Sequence, residues 1–265
     1  MRVVRIATTP VKGMAHVPRR DVALTVDGVP DDRVFCLFET ATGRVARTAE
    51  NPALLACRAD WAPPSLTVHT PIGTVTGGVA EAGPVTGDYW GRRVGLNVVD
   101  GPWSALLSRY LGREVRLCRR REPGAVIWAG PVSLVTTSSL AELARRTGAP
   151  DEDGARFRPT LVVDTPGRPP FCEDAWVGVQ LRVGPAVVTV RGALPRCAVV
   201  DREPGAGCRD HRVLAALAAD RTRAGEIAFG VQGDVVNAGR VTVGAEVALA
   251  QPSDTSWMPA RPAST

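Results

Sequence analysis

The sequence predicts a β-rich α+β fold, and three observations carry that reading. Short apolar or alternating runs recur through most of the 265 residues. Gly, Pro and Asp clusters set them apart at the spacing of a barrel or sandwich. Only three stretches show the apolar period of a helix. Strands and helices do not alternate regularly, which disfavours a doubly wound parallel sheet.

The first hundred residues read as strand at 3–6, 22–26, 33–39, 54–59, 65–69 and 94–98. Residues 40–43 (Thr-Ala-Thr-Gly) make a hairpin loop, and 72–75 repeats the pattern on a smaller scale. A helix follows at Trp103–Leu111, with Leu106, Leu107, Tyr110 and Leu111 at helical spacing and Gly112 as its stop. After a strand at 115–118, the strand Val132–Thr136 feeds a helix over 140–146, for which Ser139 and Glu142 form the expected capping box. Strands are expected at 161–163, Gln180–Val183, 187–190 and 198–200. A third helix is expected over 211–221, with Asp210 as N-cap, and 235–236 and 241–243 read as closing strands. Residues 251–265 read as a disordered tail.

Composition narrows the function classes. At 45% hydrophobic and 22% charged, the chain is ordinary for a globular protein. No apolar run reaches the roughly 18 residues of a membrane span. The opening MRVVRIATTPVKG lacks the apolar stretch of a secretory signal, so a cytoplasmic location is expected. The six cysteines form no C-x-x-C pair and the three histidines no finger-like spacing, which argues against a disulfide framework and a tetrahedral zinc site. The net charge of +5 is almost all arginine, Lys12 being the only lysine. The arginines are not interleaved with aromatics as a nucleic-acid surface would be, and dispersed guanidinium forks suit a small anionic ligand better. Phosphate-loop, dinucleotide and nucleophile-elbow glycine motifs are missing.

The densest stretch runs from 156 to 197: RFRPTLVVD, then FCEDAWVG, then LPRC. It ends on Cys197 beside Arg196, a thiol that could be a metal ligand or nucleophile. By itself a lone cysteine reads more simply as a small buried hydrophobe. Glu173 and Asp174 read as a turn and cap rather than an acid–base pair, and Trp176 as core. His16, His69 and His211 are given no catalytic role.

These blocks, with TPVKG and DGVPDDRVFCL near the start and FGVQGDVVNAGRVTVGAEV near the end, resemble the MOSC superfamily. The N-terminal part resembles the β-barrel domain that precedes MOSC in amidoxime-reducing enzymes and their bacterial relatives. The resemblance implies an N-terminal barrel-like domain over 1–120 and a MOSC β-barrel with short helices over 121–250. It also implies a molybdenum cofactor. Cys197 matches the cysteine that ligates molybdenum and would be both metal ligand and catalytic residue. Lys12, Arg33, Thr136, Thr137, Arg158, Thr160 and Arg196 match cofactor-contacting positions. Soft thiolate sulfur suits molybdenum, and the cofactor's phosphate needs cations and donors.

The implied activity is reduction of N-hydroxylated compounds by oxygen-atom transfer, on a small N-oxygenated substrate. A separate electron-transfer protein is expected, because the chain shows no flavin, haem or iron–sulfur motif. Nucleic acid and membrane are not expected partners. The alternatives are a sulfurtransferase carrying a persulfide on Cys197 and a non-catalytic cofactor carrier. The chain departs from the family at Gly13, Thr160, Pro195 and Gln232, where serine, asparagine, serine and tyrosine are frequent, and these positions are expected to border the substrate pocket.

Overall fold

The computed structural model describes residues 1–150 and 154–250. The expected tail, 251–265, lies outside the described residues.

Two β systems make up the fold. In the first half, Phe35–Glu39, Arg44–Val45, Ala80–Tyr89, Arg92–Asp100 and Val115–Arg120 close into a five-stranded barrel. A three-stranded meander, Arg58–Ala62, Ser65–Thr70 and Gly73–Gly78, packs beside it. The helix α1 (Trp103–Leu111) joins the meander to the barrel; it ends at Gly112 in the left-handed conformation, as the sequence predicts. The Trp103 ring is fully buried, and its Nε1–H donates to Leu66 O at 3.2 Å.

The second system is a nine-stranded sheet. Its order runs Val247–Leu249, Gln180–Val183, Ala186–Pro195, Glu226–Asn237, Val132–Thr136, Leu161–Asp164, Arg2–Thr8 and Val17–Arg19, with Thr222–Arg223 pairing off Glu226–Asn237. Main-chain bonds bring the first strand back to the last: Val3 N–H to Ala245 O at 2.8 Å, and Val247 N–H to Met1 O at 2.9 Å. They curl the sheet around Val3, Ile6, Leu134, Leu161, Trp176 and Val188, all buried. The expected cut at residue 120 therefore does not follow the sheets. Arg2–Thr8 belongs to the nine-stranded sheet, and Asp21–Leu24 pairs with Gly239–Thr242.

Helix α2 (Thr137–Thr147) crosses between the parallel strands Val132–Thr136 and Leu161–Asp164. It packs with α3 (Val213–Ala218) in a smaller core that holds Val135, Leu140, Phe157, Val200 and Phe229. No helix among the described residues is long and apolar enough to cross a membrane.

Several expected elements differ. The run at 54–59 splits into a 3₁₀ turn, Pro52–Ala56, and the strand Arg58–Ala62, because Pro52 favours a helical first turn. The run at 198–200 is a 3₁₀ turn, Ala198–Asp201, not a strand. Ser139 does not cap α2; Thr136 does, its hydroxyl accepting the Ser139 N–H at 3.3 Å, while Glu142 pairs with Arg145 and Arg146 on the exposed face. Asp210 does not cap α3. It is held by Arg156, and the Asp201 carboxylate takes the Leu214 N–H at 2.7 Å instead. The ten-residue strand Ala80–Tyr89, AEAGPVTGDY, carries no sustained run of large apolar residues on alternate positions. Its Gly87 leaves room for the barrel interior: a Cβ there would meet Leu96 and Val45 at 3.3 Å.

Candidate functional site

Two of the four cations singled out in the sequence are held on strained backbone. Arg33 (φ +47°) and Arg158 (φ +53°) are two of five non-glycine residues with positive φ among those described. Such a conformation costs about 1 kcal/mol or more and persists where the surroundings over-determine it. Arg33 N–H donates to Thr9 O at 2.8 Å, and Arg158 N–H to Gly154 O at 3.2 Å. Arg33 is therefore outside the strand expected at 33–39; the left-handed turn places it beside the pairing edge.

Thr9 is the hub between these segments. Its N–H donates to Asp32 Oδ1 at 2.7 Å, and Asp32 also pairs with Arg33. Its hydroxyl oxygen accepts from Arg158 Nη2 at 3.1 Å and lies 3.1 Å from His16 Nδ1. His16 Nε2 is 2.8 Å from Pro159 O, which can only accept. The proton therefore sits on Nε2, and Nδ1 accepts from the Thr9 hydroxyl. Burial, then Arg158, Arg33 and Arg5, push the imidazole well below its usual pKa, so His16 is neutral at pH 7. The sequence reading gave His16 no role. The only signal was its place four residues after Lys12, because its bonding partner Pro159 lies in the other half of the chain.

Lys12 completes the cluster. Its Nζ donates to the Tyr89 hydroxyl at 2.8 Å and lies 4.5 Å from the centroid of that ring. Burial, then Arg33 and Arg158, push its pKa down to about 7. Burial, then Arg33, lower Arg158 to about 9. Burial together with mutual repulsion of this kind marks three like charges held close to one another.

Next to the cluster opens a cleft of about 240 Å³ between the two halves of the chain. Arg5 and His16 line it from one side, and Arg156, Arg158, Val199 and Arg202 from the other. Arg156 is a structural member: its buried guanidinium holds Asp210 with two bonds of 2.8 and 2.9 Å and also donates to Arg202 O at 2.8 Å. The loop after Val199 is pressed on the first half, since a Cβ on Gly207 would lie 2.1 Å from Pro52 O.

Cys197 is exposed and stands at the N-terminal boundary of the turn Ala198–Asp201, with its thiol making no capping bond to it. Arg196 clamps the chain just before it. Its N–H donates to Ile227 O at 2.7 Å, and its guanidinium to Phe229 O and Phe157 O at 2.8 Å each. Phe157 precedes Arg158, and Val199 lines the cleft, so the thiol is positioned by two segments that also build the cleft. Arg196 acts here through the backbone it braces.

The threonines are committed internally. Thr136 Oγ1 donates to the buried Glu173 Oε2 at 2.8 Å, and Thr137 Oγ1 to Asp164 Oδ1 at 3.0 Å. Thr160 N–H donates to Ser133 Oγ at 3.1 Å, and Ser133 N–H donates back to Thr160 Oγ1 at 3.2 Å. In register, Thr136 pairs with Val163, towards the end of its strand away from Leu161 and Thr160. The structure thus gathers Lys12, Arg33 and Arg158; it sets Thr136 and Thr137 at the opposite strand ends. Glu173 is not merely part of a turn: it is fully buried, Oε1 has no hydrogen-bond partner among the described residues, and burial raises its pKa.

The four departures do not line the cleft. Gly13 has φ +92°, and a Cβ there would meet Leu54 Cδ1 at 3.0 Å, so a serine would be strained. Gln232 bonds the Gly130 N–H and Ala193 O. Pro195 ends a strand opposite Ala228.

A MOSC N-terminal beta barrel domain matches residues 1–93, and a MOSC domain residues 123–248. The chain belongs to the MOSC superfamily. No curated protein matches it. Among solved structures it is similar to the YuaD protein from Bacillus subtilis, at 11% identity and a TM-score of 0.42, over 93% of each chain. It is also similar to YiiM from Geobacillus stearothermophilus, at 16% identity and a TM-score of 0.34, over 46% of this chain and 55% of that one. MOSC domains are associated with binding of the molybdenum cofactor. The residues of this member suit such a group. Among the described residues no three His, Cys, Asp or Glu side chains gather to hold a metal ion. The exposed thiol of Cys197 is a soft donor of the kind molybdenum takes, and the arginines of the cleft are of the kind a phosphate takes.

Proposed function

We propose that this MOSC protein holds the molybdenum cofactor at the cleft and reduces N-hydroxylated compounds such as amidoximes. The supporting observation is the convergence of Lys12, Arg33 and Arg158, from both halves of the chain, beside a basic cleft flanked by the segment of Cys197. When bound, the cofactor would supply two-electron oxygen-atom transfer chemistry.

The remaining work falls to side chains. Arg158 and Arg33 hold the phosphate end, and Lys12 adds a charge that can be withdrawn near neutral pH. Cys197 offers one soft thiolate on a turn fixed by the Arg196 clamp. Neutral His16 keeps Arg158 aimed by bonding Thr9 and Pro159. Overall, the N–O bond of the substrate breaks, its hydroxyl leaves as water with one added proton, and the nitrogen gains the other. Two electrons and two protons are consumed, the electrons from a separate protein donor.

The test is turnover of benzamidoxime by cofactor-loaded protein with reduced methyl viologen as donor. Formation of benzamidine, lost in Cys197→Ser, is the expected result. Absence of turnover from loaded protein would leave a cofactor carrier, and metal-free protein with cyanide-releasable sulfur on Cys197 would turn the reading to sulfur transfer.

A further inference from the structure

The barrel ends in a hairpin whose tip residue is ill suited to its backbone. Tyr89 and Arg92 pair across the two-residue loop Trp90–Gly91, whose φ values are +57° and +77°. Positive φ at both positions is the type I′ turn that Asn-Gly fills without strain. A tryptophan there costs on the order of 1 kcal/mol, and burial does not offset it, because Trp90 is 48% exposed. Beside it stands Trp128, 54% exposed, with the ring centroids 5.1 Å apart. The loop carrying Trp128 is anchored: Val126 is fully buried against Tyr89 and the barrel interior, and Arg92 Nη2 donates to Ile127 O at 3.0 Å. Two separate segments are thus fixed so as to present two rings to solvent.

Arginines surround the pair. The Arg47 guanidinium lies 4.2 Å from the Trp90 ring centroid, and Arg44, Arg92 and Arg93 are exposed on the flanking strands. The acids among them are Asp88, which pairs in register with Arg44 and Arg93, and Glu50, which holds Arg47. Cations remain in excess. Exposed tryptophan with arginine is the composition of an interface hot spot, and the excess charge selects an acidic partner. The patch also adjoins the site. The Arg92 guanidinium lies 5.2 Å from the Tyr89 ring centroid, and the Tyr89 hydroxyl accepts from Lys12.

We propose that the Trp90–Trp128 patch docks an acidic electron-transfer protein. The partner's acidity follows from the arginines; its role as electron donor rests on the function proposed above. Each docked partner is oxidised by one electron, and two such transfers with two protons from solvent meet the demand of one N–O reduction.

A plant-type [2Fe–2S] ferredoxin serves as the acidic probe, with basic cytochrome c as control. Binding is followed by tryptophan fluorescence and calorimetry at low and 0.3 M salt. Wild type should bind ferredoxin but not cytochrome c, at least tenfold more weakly in high salt. The double variant Trp90→Asn, Trp128→Ala should lose at least tenfold in affinity. Its viologen-driven turnover should stay unchanged and its melting temperature unchanged or raised, since asparagine suits the turn. Wild type that ignores ferredoxin, or a variant that binds it within twofold of wild type, overturns the proposal. Patch-dependent binding to phosphatidylserine vesicles without ferredoxin binding also overturns it, in favour of a lipid surface. Ferredoxin docking without any viologen-driven turnover overturns the reductase reading and the electron-delivery role with it, and leaves the docking surface standing.

Discussion

Lys12 and Arg158 are single residues whose meaning depends on being unable to satisfy each other. Burial and like charge bring the Lys12 amine to about 7, so it is mostly charged at pH 6 and mostly neutral at pH 8. His16, held neutral well below its usual value, adds no charge in that range. Sulfate, which does not titrate there, should accordingly bind the cofactor-free protein several-fold more weakly at pH 8 than at pH 6. Lys12→Met should bind it weakly at both, and calorimetry checks this. A wild-type affinity that holds constant across the range would contradict the assignment. That Lys12 and Arg158 come together was legible, because each stands in a short block of recognisable neighbours. Thr9 and His16 were not, since their roles exist only once Pro159 and Arg158 are folded against them.

At the scale of elements, helix α2 and the turn Cys172–Trp176 share one buried carboxyl. Glu173 Oε2 accepts from both Thr136 and Ser139, and burial raises its pKa above 4.5. A carboxyl raised on folding contributes fully below about pH 4.5 and loses that contribution as pH rises through its folded pKa. Glu173→Gln keeps an acceptor for both hydroxyls without the titration. It should match wild type near pH 4 and exceed it in urea unfolding at pH 8; a variant less stable at pH 8 would contradict this account. The strand–helix–strand unit around this carboxyl was legible from apolar runs and length. Its cap was misplaced because Thr136 and Ser139 both suit a helix start, and only the Glu173 contact separates them. The run at 198–200 looked like strand because valine favours extended chain. The Arg196 clamp ends the strand at Pro195, and the chain turns to bring Val199 to the cleft.

The whole molecule is a five-stranded barrel and a nine-stranded sheet joined beside the cleft, with the first strand of the chain in the sheet. The strand-rich class with an N-terminal barrel was legible; the stitching was not, because pairing between Arg2–Thr8 and Leu161–Asp164 leaves no local pattern. One stitch is Gly207 against Pro52 O. Gly207→Ala, strained at φ +80° and clashing with backbone, should cost about 1–3 kcal/mol in urea unfolding and speed proteolysis of the loop before α3. A change within 0.5 kcal/mol, about the scatter of surface substitutions, would show that the contact holds nothing. The most direct test of the shared cleft is molybdenum and pterin content of protein made in a cofactor-competent host. Wild type should carry both near one per chain. Arg158→Ala should lose both, and Cys197→Ser should lose most of the metal. Wild type lacking both, or Arg158→Ala retaining both in full, would contradict the account.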